Sequence, residues 1–415
     1  MKEKSKSKKW GGILLSLVLA LSMILTPCAA FADTATVPMY LTVSEEPLVF
    51  DVTENIQMSA TQGSTTLVFD RPVMVTNNGT KEIQVSSIAL KPASGWTVET
   101  SSTDFGAAAA TALSFTCGSH DFASGAYAPA DVIAIGAEKI YTLEGQVSAK
   151  ADLMSQTKVS DLVLTIEKAL EIVSWADGTD EQIVAMVEAA DAGKINLADY
   201  WNVGDTRTVH LSAMEATGVG ETHAEQDVEL VLMHAGGYEL ADGSTCNFVV
   251  GQKDSLAEKG YMNSTNTNSG SWEGSARRTW CNDTYKNAIP ATLLPIFKQF
   301  KTITAETYNG TTLKTSLDYF ALPAEREVFG EGYGYAGNGY ANNTEAACED
   351  IFQFDWYKTS ANRIKKLGIS GSAYGWWERS PGCNGSYGFC SVGSDGSASN
   401  NFADGTRGLA PFGCI

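Results

Sequence analysis

The chain ends in a stretch that opens with two adjacent tryptophans and then changes composition abruptly. Trp376-Trp377-Glu378-Arg379-Ser380-Pro381 begins it, and from Ser380 to Ile415 there is no Lys, Glu, Gln, Met, Trp or His. Gly, Ser, Asn, Ala, Phe and Cys take their place. Such residues form exposed turns, to which Tyr and Phe add contact area. The composition alone favours an ordinary Gly- and Ser-rich loop that closes a domain; a ligand-facing surface is the alternative.

The length and charge of the chain exclude several classes of protein. A chain of 415 residues is too long to fold around one ordinary hydrophobic core, so two or three domains are expected. The formal charge is −19, and because the first 32 residues carry five Lys and one Glu, the rest of the chain carries −23. Such an acidic chain repels phosphate backbones and anionic lipid. Nucleic-acid partners and membrane-surface binding are therefore not expected.

The N-terminus has the pattern of a secretory signal peptide. A basic segment, Lys2 to Lys9, precedes an apolar one, Ile13 to Leu25, and Ala30-Phe31-Ala32 is a small-x-small cleavage site. Cleavage before Asp33 would export the protein to the cell surface or the medium. Lipidation at Cys28 is the alternative, although a proline precedes this cysteine. No later run is long and apolar enough to span a bilayer, so no membrane insertion is expected after signal removal.

The cysteines do not predict a metal centre. Seven of them follow the signal peptide: Cys117, Cys246, Cys281, Cys348, Cys383, Cys390 and Cys414. The odd number leaves a free thiol or an intermolecular bridge, and the absence of a C-x-x-C pair gives a zinc site little support. Cys383 and Cys390 are the closest pair, so a disulfide is possible there, while unpaired buried cysteines are equally compatible with the sequence. We predict no metal and no cofactor.

Residues 33 to about 168 have the pattern of an all-β domain. Short apolar runs are separated by turn signals such as Asn77-Asn78-Gly79, which favours an antiparallel sandwich. The predicted strands lie around Val37–Val43, Leu48–Phe50, Thr66–Phe69, Ile83–Ile88, Val132–Ile135, Ile140–Leu143 and Leu162–Ile166. The segment from Val73 to Trp96 resembles the immunoglobulin-like modules of Gram-positive surface proteins. This resemblance implies a spacer module without a ligand of its own.

The pattern changes from strand to helix near Glu171, where we place the domain boundary. Thr179 or Asp180 can cap a helix that carries apolar residues on one face, and Gly193 ends it. Further on, the spacing of apolar residues predicts strands at Thr208–Leu211 and Val228–Met233 and a helix between Trp272 and Asn287. Pro290 is predicted to start another helix carrying Leu293, Leu294, Ile296, Phe297 and Phe300. A strand around Leu317–Pro323 and a Gly-, Tyr- and Asn-rich loop from Phe329 to Asn343 complete the prediction.

Several phrases in this second half carry a resemblance to a known family. They are Tyr200-Trp201 to Arg207, Ser275 to Trp280, Leu322-Pro323 with Glu327, Trp376 to Pro381, and Gly405 to Pro411. Together they resemble a bacterial family of unknown function whose members end in Trp-Trp-x-Arg-Ser-Pro followed by Gly-x-Arg-x-x-x-Pro. Its domains look like C-type-lectin folds, and the resemblance covers roughly Asp177 to Ile415. It implies an α+β domain with two helices against a twisted sheet and long loops on one side.

These observations predict a mixed fold. A signal peptide (1–32) precedes an all-β immunoglobulin-like sandwich (33–170), and an α+β C-type-lectin-like domain (171–415) carries a variable C-terminal loop region. In that domain Trp376, Trp377, Arg379 and Arg407 are expected to be structural, because adjacent rings beside an arginine are typical of a packed strand end. The sequence has neither the Glu-Pro-Asn nor the Trp-Asn-Asp triplet of calcium-dependent sugar-binding lectins. Calcium-mediated glycan binding is therefore not expected.

The same fold looks like that of the variable proteins of diversity-generating retroelements, which carry a hypervariable patch near the C-terminus. Mutating the adenines of an AAC codon cannot yield Lys, Glu, Gln, Met or Trp, and these residue types are absent after Arg379. Plain turn chemistry would also explain the glycines, so a fixed loop is the alternative. The resemblance implies a ligand-facing patch formed by Asn384, Ser386, Tyr387, Ser394, Asp395, Ser397, Asn400, Asn401 and Phe402.

Three functions compete at this point. The first is an exported binding protein, of receptor or adhesin type, whose diversified C-terminal surface binds an unknown surface protein or glycan. The second is a structural cell-envelope protein with a fixed loop. The third is an enzyme, because formylglycine-generating enzymes share the fold and use a cysteine pair, for which Cys383 and Cys390 are the candidates. The histidines form no metal spacing and no Gly-x-Ser-x-Gly elbow or P-loop occurs, so we do not predict an enzyme.

Overall fold

The structure is a computed structural model, and it describes residues 17–27, 48–53, 56–61, 63–151, 157–215, 219 and 222–415. The chain divides into two compact units, Met1–Ala169 and Leu170–Ile415, called unit 1 and unit 2 below. Strands outnumber helices throughout. The described chain is therefore β-rich with short helices, which agrees with the predicted mixed fold at this level.

In its described residues, unit 1 consists of strands apart from a 3₁₀ turn at Phe122–Ser124. Its strands are β1 (Leu17–Pro27), β2 (Phe50–Val52), β3 (Gln57–Ala60), β4 (Thr66–Phe69), β5 (Val73–Asn77), β6 (Ile83–Pro92), β7 (Thr97–Val98), β8 (Ala112–Cys117), β9 (His120–Asp121), β10 (Asp131–Ile133), β11 (Glu138–Tyr141), β12 (Leu143–Val147) and β13 (Thr157–Lys168). The large sheet has the order β10-β6-β13-β1-β3-β4-β12-β8-β7, with β9 beside β8, and a small sheet has the order β11-β5-β2.

Alternation of apolar and polar residues explains why these segments form strands with one buried face. In β6, for example, Ile83 and Val85 are buried while Gln84 between them is only half-buried. The predicted strands of this region have counterparts in β2, β4, β6, β10, β11 and β13, and the Val37–Val43 strand lies outside the described residues. The buried residues of unit 1 form one apolar cluster, which includes Ile56, Phe115 and Leu164.

Strand β1 lies in the interior of the large sheet. Its backbone pairs antiparallel with β13, from Leu17 opposite Ile166 to Leu25 opposite Thr157, and parallel with β3 over Ile24 to Pro27. Most of this strand belongs to the apolar segment of the predicted signal peptide. The pairing of β1 does not test whether this segment directs export and is cleaved. The signal peptide therefore stays a prediction.

The part of unit 2 that the structure describes contains four-, three- and two-stranded sheets and six short helices. The helices are α1 (Asp180–Asp191), α2 (Ala276–Trp280), α3 (Lys286–Ala288), α4 (Glu325–Phe329), α5 (Asn343–Ala346) and α6 (Asp355–Lys358), with a π segment at Cys281–Tyr285 and 3₁₀ turns at Leu197–Asp199, Leu294–Ile296 and Ser360–Arg363. The strands are β14 (Thr206–Leu211), β15 (Gln226–Ala235), β16 (Phe248–Gln252), β17 (Phe300–Ala305), β18 (Leu313–Asp318), β19 (Trp376–Pro381), β20 (Gly388–Val392), β21 (Ala398–Phe402) and β22 (Phe412–Cys414). They pair as β14-β15-β16-β22, β17-β18 and β19-β20-β21.

Local sequence signals explain helix α1. Thr179 caps it by accepting a hydrogen bond from the Gln182 backbone N–H, and the Thr179 backbone N–H donates in return to Gln182 Oε1. Ile183, Met186 and Val187 are buried on one face. Gly193 follows the helix with φ of +69°, a conformation that favours glycine. The predicted helix at this position is confirmed, as is the helical segment between Trp272 and Asn287, which the structure forms over Ala276–Ala288.

The predicted helix starting at Pro290 is wrong. Only a 3₁₀ turn forms, at Leu294–Ile296, and Phe300 begins strand β17. Pro295 lies inside the predicted helix, has no backbone N–H and would clash with the preceding turn, so the helix cannot continue. The predicted strand around Leu317–Pro323 is shifted as well, because β18 ends at Asp318 and Ala321 makes only an isolated bridge to Phe412.

A single aromatic-rich core holds unit 2 together. Its largest fully buried side chains include Trp175, Trp201, Trp272, Trp376 and Trp377. Burial of such rings stabilises a domain by about 1.5–3 kcal/mol each, so this core dominates the stability of the unit. Among the described residues, no helix has both the length and the apolarity that a membrane crossing requires.

Candidate functional site

The predicted ligand-facing residues lie on and beside the three-stranded meander β19-β20-β21. All six residues of β19 and all five of β20 are buried, whereas no residue of β21 is. Strand β21 pairs with β20 from Gly388 opposite Phe402 to Val392 opposite Ala398. It is the last strand of its sheet, and four of its five residues are half-buried while Phe402 is exposed.

The turn between β20 and β21 carries three of the nine predicted residues: Ser394, Asp395 and Ser397. All three are exposed. The Asp395 carboxylate accepts hydrogen bonds from Ser397 N at 3.0 Å and from Ser397 Oγ at 2.6 Å. These hydrogen bonds lower the pKa of Asp395, which keeps it ionised. Gly396 has φ of +82°, as this tight turn requires. The turn therefore presents one fixed negative charge.

A second loop, between β19 and β20, carries Asn384, Ser386 and Tyr387, which are all exposed. The side chain of Asn268, which is buried, fixes this loop. Asn268 Nδ2 donates to Gly388 O at 2.7 Å and to Gly385 O at 2.9 Å, and Asn268 N donates to Ser386 O at 2.9 Å. These bonds satisfy loop carbonyls and hold the loop in one conformation.

Tyr387 and Phe402 form the apolar part of this surface. Their ring centroids are 5.3 Å apart with a tilt of 52°, and Phe402 is 53% exposed. The Tyr387 hydroxyl donates to Asn384 O at 2.8 Å, which orients the ring. Two adjacent exposed aromatic rings are unusual on a surface that serves only as solvent boundary, and such rings are typical anchors of binding interfaces.

The structure does not bring all nine residues into one compact patch. Asn384, Ser386, Tyr387, Asn401 and Phe402 lie at one end of β21, and Ser394, Asp395 and Ser397 lie at the other. The ends are separated by about 17 Å at 3.3 Å per residue. Asn400 and Asn401 are both half-buried and, as neighbours in a strand, point to opposite faces. The accessible residues therefore form a strip along β21, called the edge strip below.

The two tryptophans that precede this strip are fully buried in the core. Trp376 Nε1 donates to Arg363 O and Trp377 Nε1 donates to Gly260 O, both at 2.8 Å. Trp376 also stacks on Tyr357, with centroids 5.8 Å apart. Both indoles thus satisfy their only polar group while buried, which is what a structural role requires.

Arg379 on β19 makes a buried ion pair with Glu327 on α4. Its Nη1 lies 2.6 Å from Glu327 Oε2 and 3.0 Å from Leu322 O, and its Nη2 contacts Glu327 Oε1. Burial alone would lower the pKa of Arg379, but the charge of Glu327 outweighs burial and raises it. Arg407, by contrast, is half-buried, and its side chain makes one long contact, to Thr406 O at 3.4 Å. The backbone of Arg407, not its side chain, is held by Gly260.

The two cysteines of the enzyme hypothesis form no disulfide, and the same holds for the other cysteines of the described chain. Cys390 is buried in β20, while Cys383 is half-buried and its thiol donates to Tyr308 O. Burial raises the pKa of Cys383 to about 11, and it also raises the pKa of Cys390 well above its ordinary value. Both thiols are therefore protonated at neutral pH, which disfavours a nucleophilic role.

Two groups of residues escaped the sequence analysis. One is Asn268, because nothing in its sequence neighbours indicates that it holds a loop more than a hundred residues away. The buried acids Glu325, Glu345 and Glu378 were likewise given no role. The sequence offers one signal, which is that Glu378 stands between Trp377 and Arg379, two residues of a strand that is buried.

The fold and the site together define a β-rich protein whose second unit presents an accessible strand edge on a deeply buried scaffold. Residues 247–415 of this unit match the family described as "Domain of unknown function (DUF6273)". This match agrees with the predicted likeness to a family of unknown function, over a shorter range than the Asp177 to Ile415 expected. Comparison with curated proteins gave no significant match, and comparison with solved structures gave none either.

Proposed function

We propose that this is an exported ligand-binding protein of the receptor or adhesin type. In this proposal unit 2 is a C-type-lectin-like scaffold that displays a diversified C-terminal surface, and unit 1 is an immunoglobulin-like spacer. The ligand is a surface protein or a glycan, with no part for nucleic acid. The acidic charge of the chain supports the exclusion of nucleic acid.

One observation carries the proposal: the residues of the predicted patch are accessible, and the predicted structural residues before them are buried. None of the nine residues of the predicted patch is buried, whereas Trp376, Trp377 and Arg379 immediately before them are fully buried. Substitution at an exposed edge-strand or loop position costs little stability, within about 0.5 kcal/mol. A surface arranged in this way can vary while the scaffold stays folded.

Two alternatives are less well supported. A structural envelope protein with a fixed loop gives no reason for the exposed Tyr387–Phe402 pair, whereas a binding surface uses such rings as anchors. A formylglycine-generating type of enzyme would need a reactive thiol, and the pKa of Cys383 and of Cys390 is raised by burial. Both observations favour binding.

The first test of diversification is genetic. The codons for the edge strip should end mostly in C or T, and a near-identical adenine-rich repeat should lie beside a reverse transcriptase gene. If the locus has neither the repeat nor the transcriptase, the surface is a fixed one and the diversification part of the proposal fails.

The test of binding uses the secreted full-length protein on glycan and protein arrays. Each ligand found is measured again with the double variant Tyr387→Ser/Phe402→Ser, which should bind at least about tenfold more weakly with an unchanged melting temperature. Tyr200→Ser is the matched control, because Tyr200 is 42% exposed and lies outside the edge strip. Equal loss in the control, or no loss in the double variant, would place the binding surface elsewhere.

Export is tested by sequencing the N-terminus of the protein recovered from the medium or the cell surface. A chain that begins at or near Asp33 supports secretion by signal cleavage. A lipidated Cys28 at the new N-terminus would instead make the protein a lipoprotein, which changes how it is attached but not what the edge strip binds.

A further inference from the structure

Unit 2 buries a group of four glutamates that has one arginine as its neighbouring cation. Glu325, Glu327, Glu345 and Glu378 are at most 1% exposed. Arg379 is the cation that pairs with this group, and its guanidinium is taken by Glu327. The other three carboxyl groups therefore need protons, hydrogen-bond donors or another cation, because an uncompensated buried charge is strongly unfavourable.

Two of these three carboxyl groups have donors and one has none. Glu325 accepts from Tyr340 N at 2.9 Å and from Ala341 N at 2.6 Å, and Glu345 accepts from Ala305 N at 2.7 Å and from the Ser380 hydroxyl. Both carboxylate oxygens of Glu378 are buried without any hydrogen-bond partner in the described structure. A fully buried carboxyl group without a donor is strongly unfavourable unless something else binds it.

We propose that Glu325, Glu378 and Cys390 bind a divalent transition-metal ion, for which Zn²⁺ fits the ligand set. One carboxylate oxygen of each glutamate and the Cys390 Sγ lie within 4.8 Å of one another, and all three side chains are fully buried. The unpartnered carboxylate of Glu378 belongs to this group, so the donor set is aimed at a common point. A thiolate beside carboxylates selects Zn²⁺ over Ca²⁺ and Mg²⁺, which prefer oxygen alone.

The three atoms need only a small movement to coordinate an ion. A triangle with 4.8 Å sides has its centre about 2.8 Å from each corner, and Zn²⁺ requires about 2.0–2.3 Å, so each atom would move inward by roughly 0.5–0.8 Å. Because metal ligands are deprotonated, binding would displace to solvent the thiol proton of Cys390 and the carboxyl proton of the unpartnered Glu378. The ion would join α4, β19 and β20, which carry these residues, and so stabilise the sheet on which β21 lies.

This inference departs from the sequence analysis, which predicted no metal. The three ligands come from separate elements and include only one cysteine, so no ligand spacing is visible along the chain. It is also independent of the binding proposal, since a stabilising ion beneath the sheet is compatible with either a variable or a fixed surface.

The test is metal analysis of the full-length chain, after purification with ZnCl₂ and dialysis against metal-free buffer. The wild type should retain about one equivalent of zinc, and both Glu378→Gln and Cys390→Ser should retain less than about a tenth. Cys348→Ser is the matched control and should retain zinc as the wild type does, because Cys348 is partly exposed and lies outside the group. If the wild type retains no zinc, or if both ligand variants retain as much as the wild type, the proposal is overturned.

A spectroscopic measurement covers the case in which a ligand variant does not fold. Wild-type protein loaded with Co²⁺ should show a thiolate-to-metal charge-transfer band in the near ultraviolet and tetrahedral d–d bands in the visible region. The same bands should persist in Cys348→Ser. Wild-type Co²⁺ protein without a thiolate band would overturn the assignment of Cys390 as a ligand, and with it the proposal.

Discussion

Replacement of Arg379 by methionine tests whether the buried ion pair holds unit 2 together. Arg379 is fully buried, and its guanidinium donates to both carboxylate oxygens of Glu327 and to Leu322 O. Methionine keeps much of the aliphatic volume but removes every donor. Glu327 would then be a buried charge without its cation, although the Tyr238 hydroxyl and Ala324 N would still donate to it.

The magnitude follows from the cost of such a charge. Breaking a buried ion pair by removing one partner costs about 3–5 kcal/mol. A unit of this size loses about 2–4 °C of melting temperature per kcal/mol, so Arg379→Met should lower the melting temperature of unit 2 by about 6–20 °C. Tryptophan fluorescence reports this transition, because all but two of the nine tryptophans belong to unit 2.

Two comparison variants isolate the cause. Arg407→Met makes the same substitution at a half-buried arginine with one long side-chain contact, and it should cost less than about 1 kcal/mol. Arg379→Met/Glu327→Gln removes the buried charge as well, so it should be more stable than Arg379→Met alone. A loss below about 1 kcal/mol in Arg379→Met, or a double variant no better than the single one, would refute the reasoning.

Further predictions concern the packing, the loop, the pH response and the domain boundary. Trp377→Ala should destabilise unit 2 by about 3–5 kcal/mol in urea unfolding, and unchanged stability with lost ligand binding would make Trp377 part of the site instead. Asn268→Ala leaves loop carbonyls without a donor, so amide hydrogen exchange should rise in the loop between β19 and β20 and stay unchanged in α1. Burial lowers the pKa of His223 to about 4, against about 6.5 when unfolded, so the unfolded chain binds the extra proton between these values. Stability should fall by up to about 3 kcal/mol as pH drops from 6.5 to 4, and His223→Phe should lose this part of the slope. Limited proteolysis should cut between about Ile166 and Asp180 and release a soluble C-terminal fragment; an insoluble fragment would place the boundary elsewhere.

What the sequence predicted well is local. Helix α1 follows from a capping box, an apolar face and a glycine, all within fifteen residues, so no distant contact is needed to recognise it. The strands of unit 1 follow from alternation in the same way. The exposure of turn residues such as Asn384, Ser386 and Ser394 was also predictable, because Asn and Ser are typical of turns. The burial of β20 and of residues 408–415 in the same tail was not, because it depends on distant packing partners.

What the sequence did not predict depends on contacts between distant residues. The segment after Pro290 has the apolar period of a helix, but Pro295 interrupts it and the chain turns into strand β17 instead. The strip-like arrangement of the nine residues depends on the register of β20 with β21, which composition does not reveal. The group of buried acids brings together α4, α5 and β19, and in the sequence each glutamate looks like an ordinary surface residue.

The interior place of β1 couples the state of the N-terminus to the integrity of unit 1. Cleavage before Asp33 would remove Leu17–Pro27 and leave the β1-facing sides of β13 and β3 with unpaired N–H and C=O groups. Such edges pair readily with any strand that reaches them, from the same chain or from a neighbouring molecule. The large sheet therefore differs between two forms of the protein. It contains β1 in a precursor that has folded with its N-terminus, and it lacks β1 in the mature chain. The first residue of the purified protein thus distinguishes two architectures of unit 1, and only the cleaved one invites strand exchange between molecules.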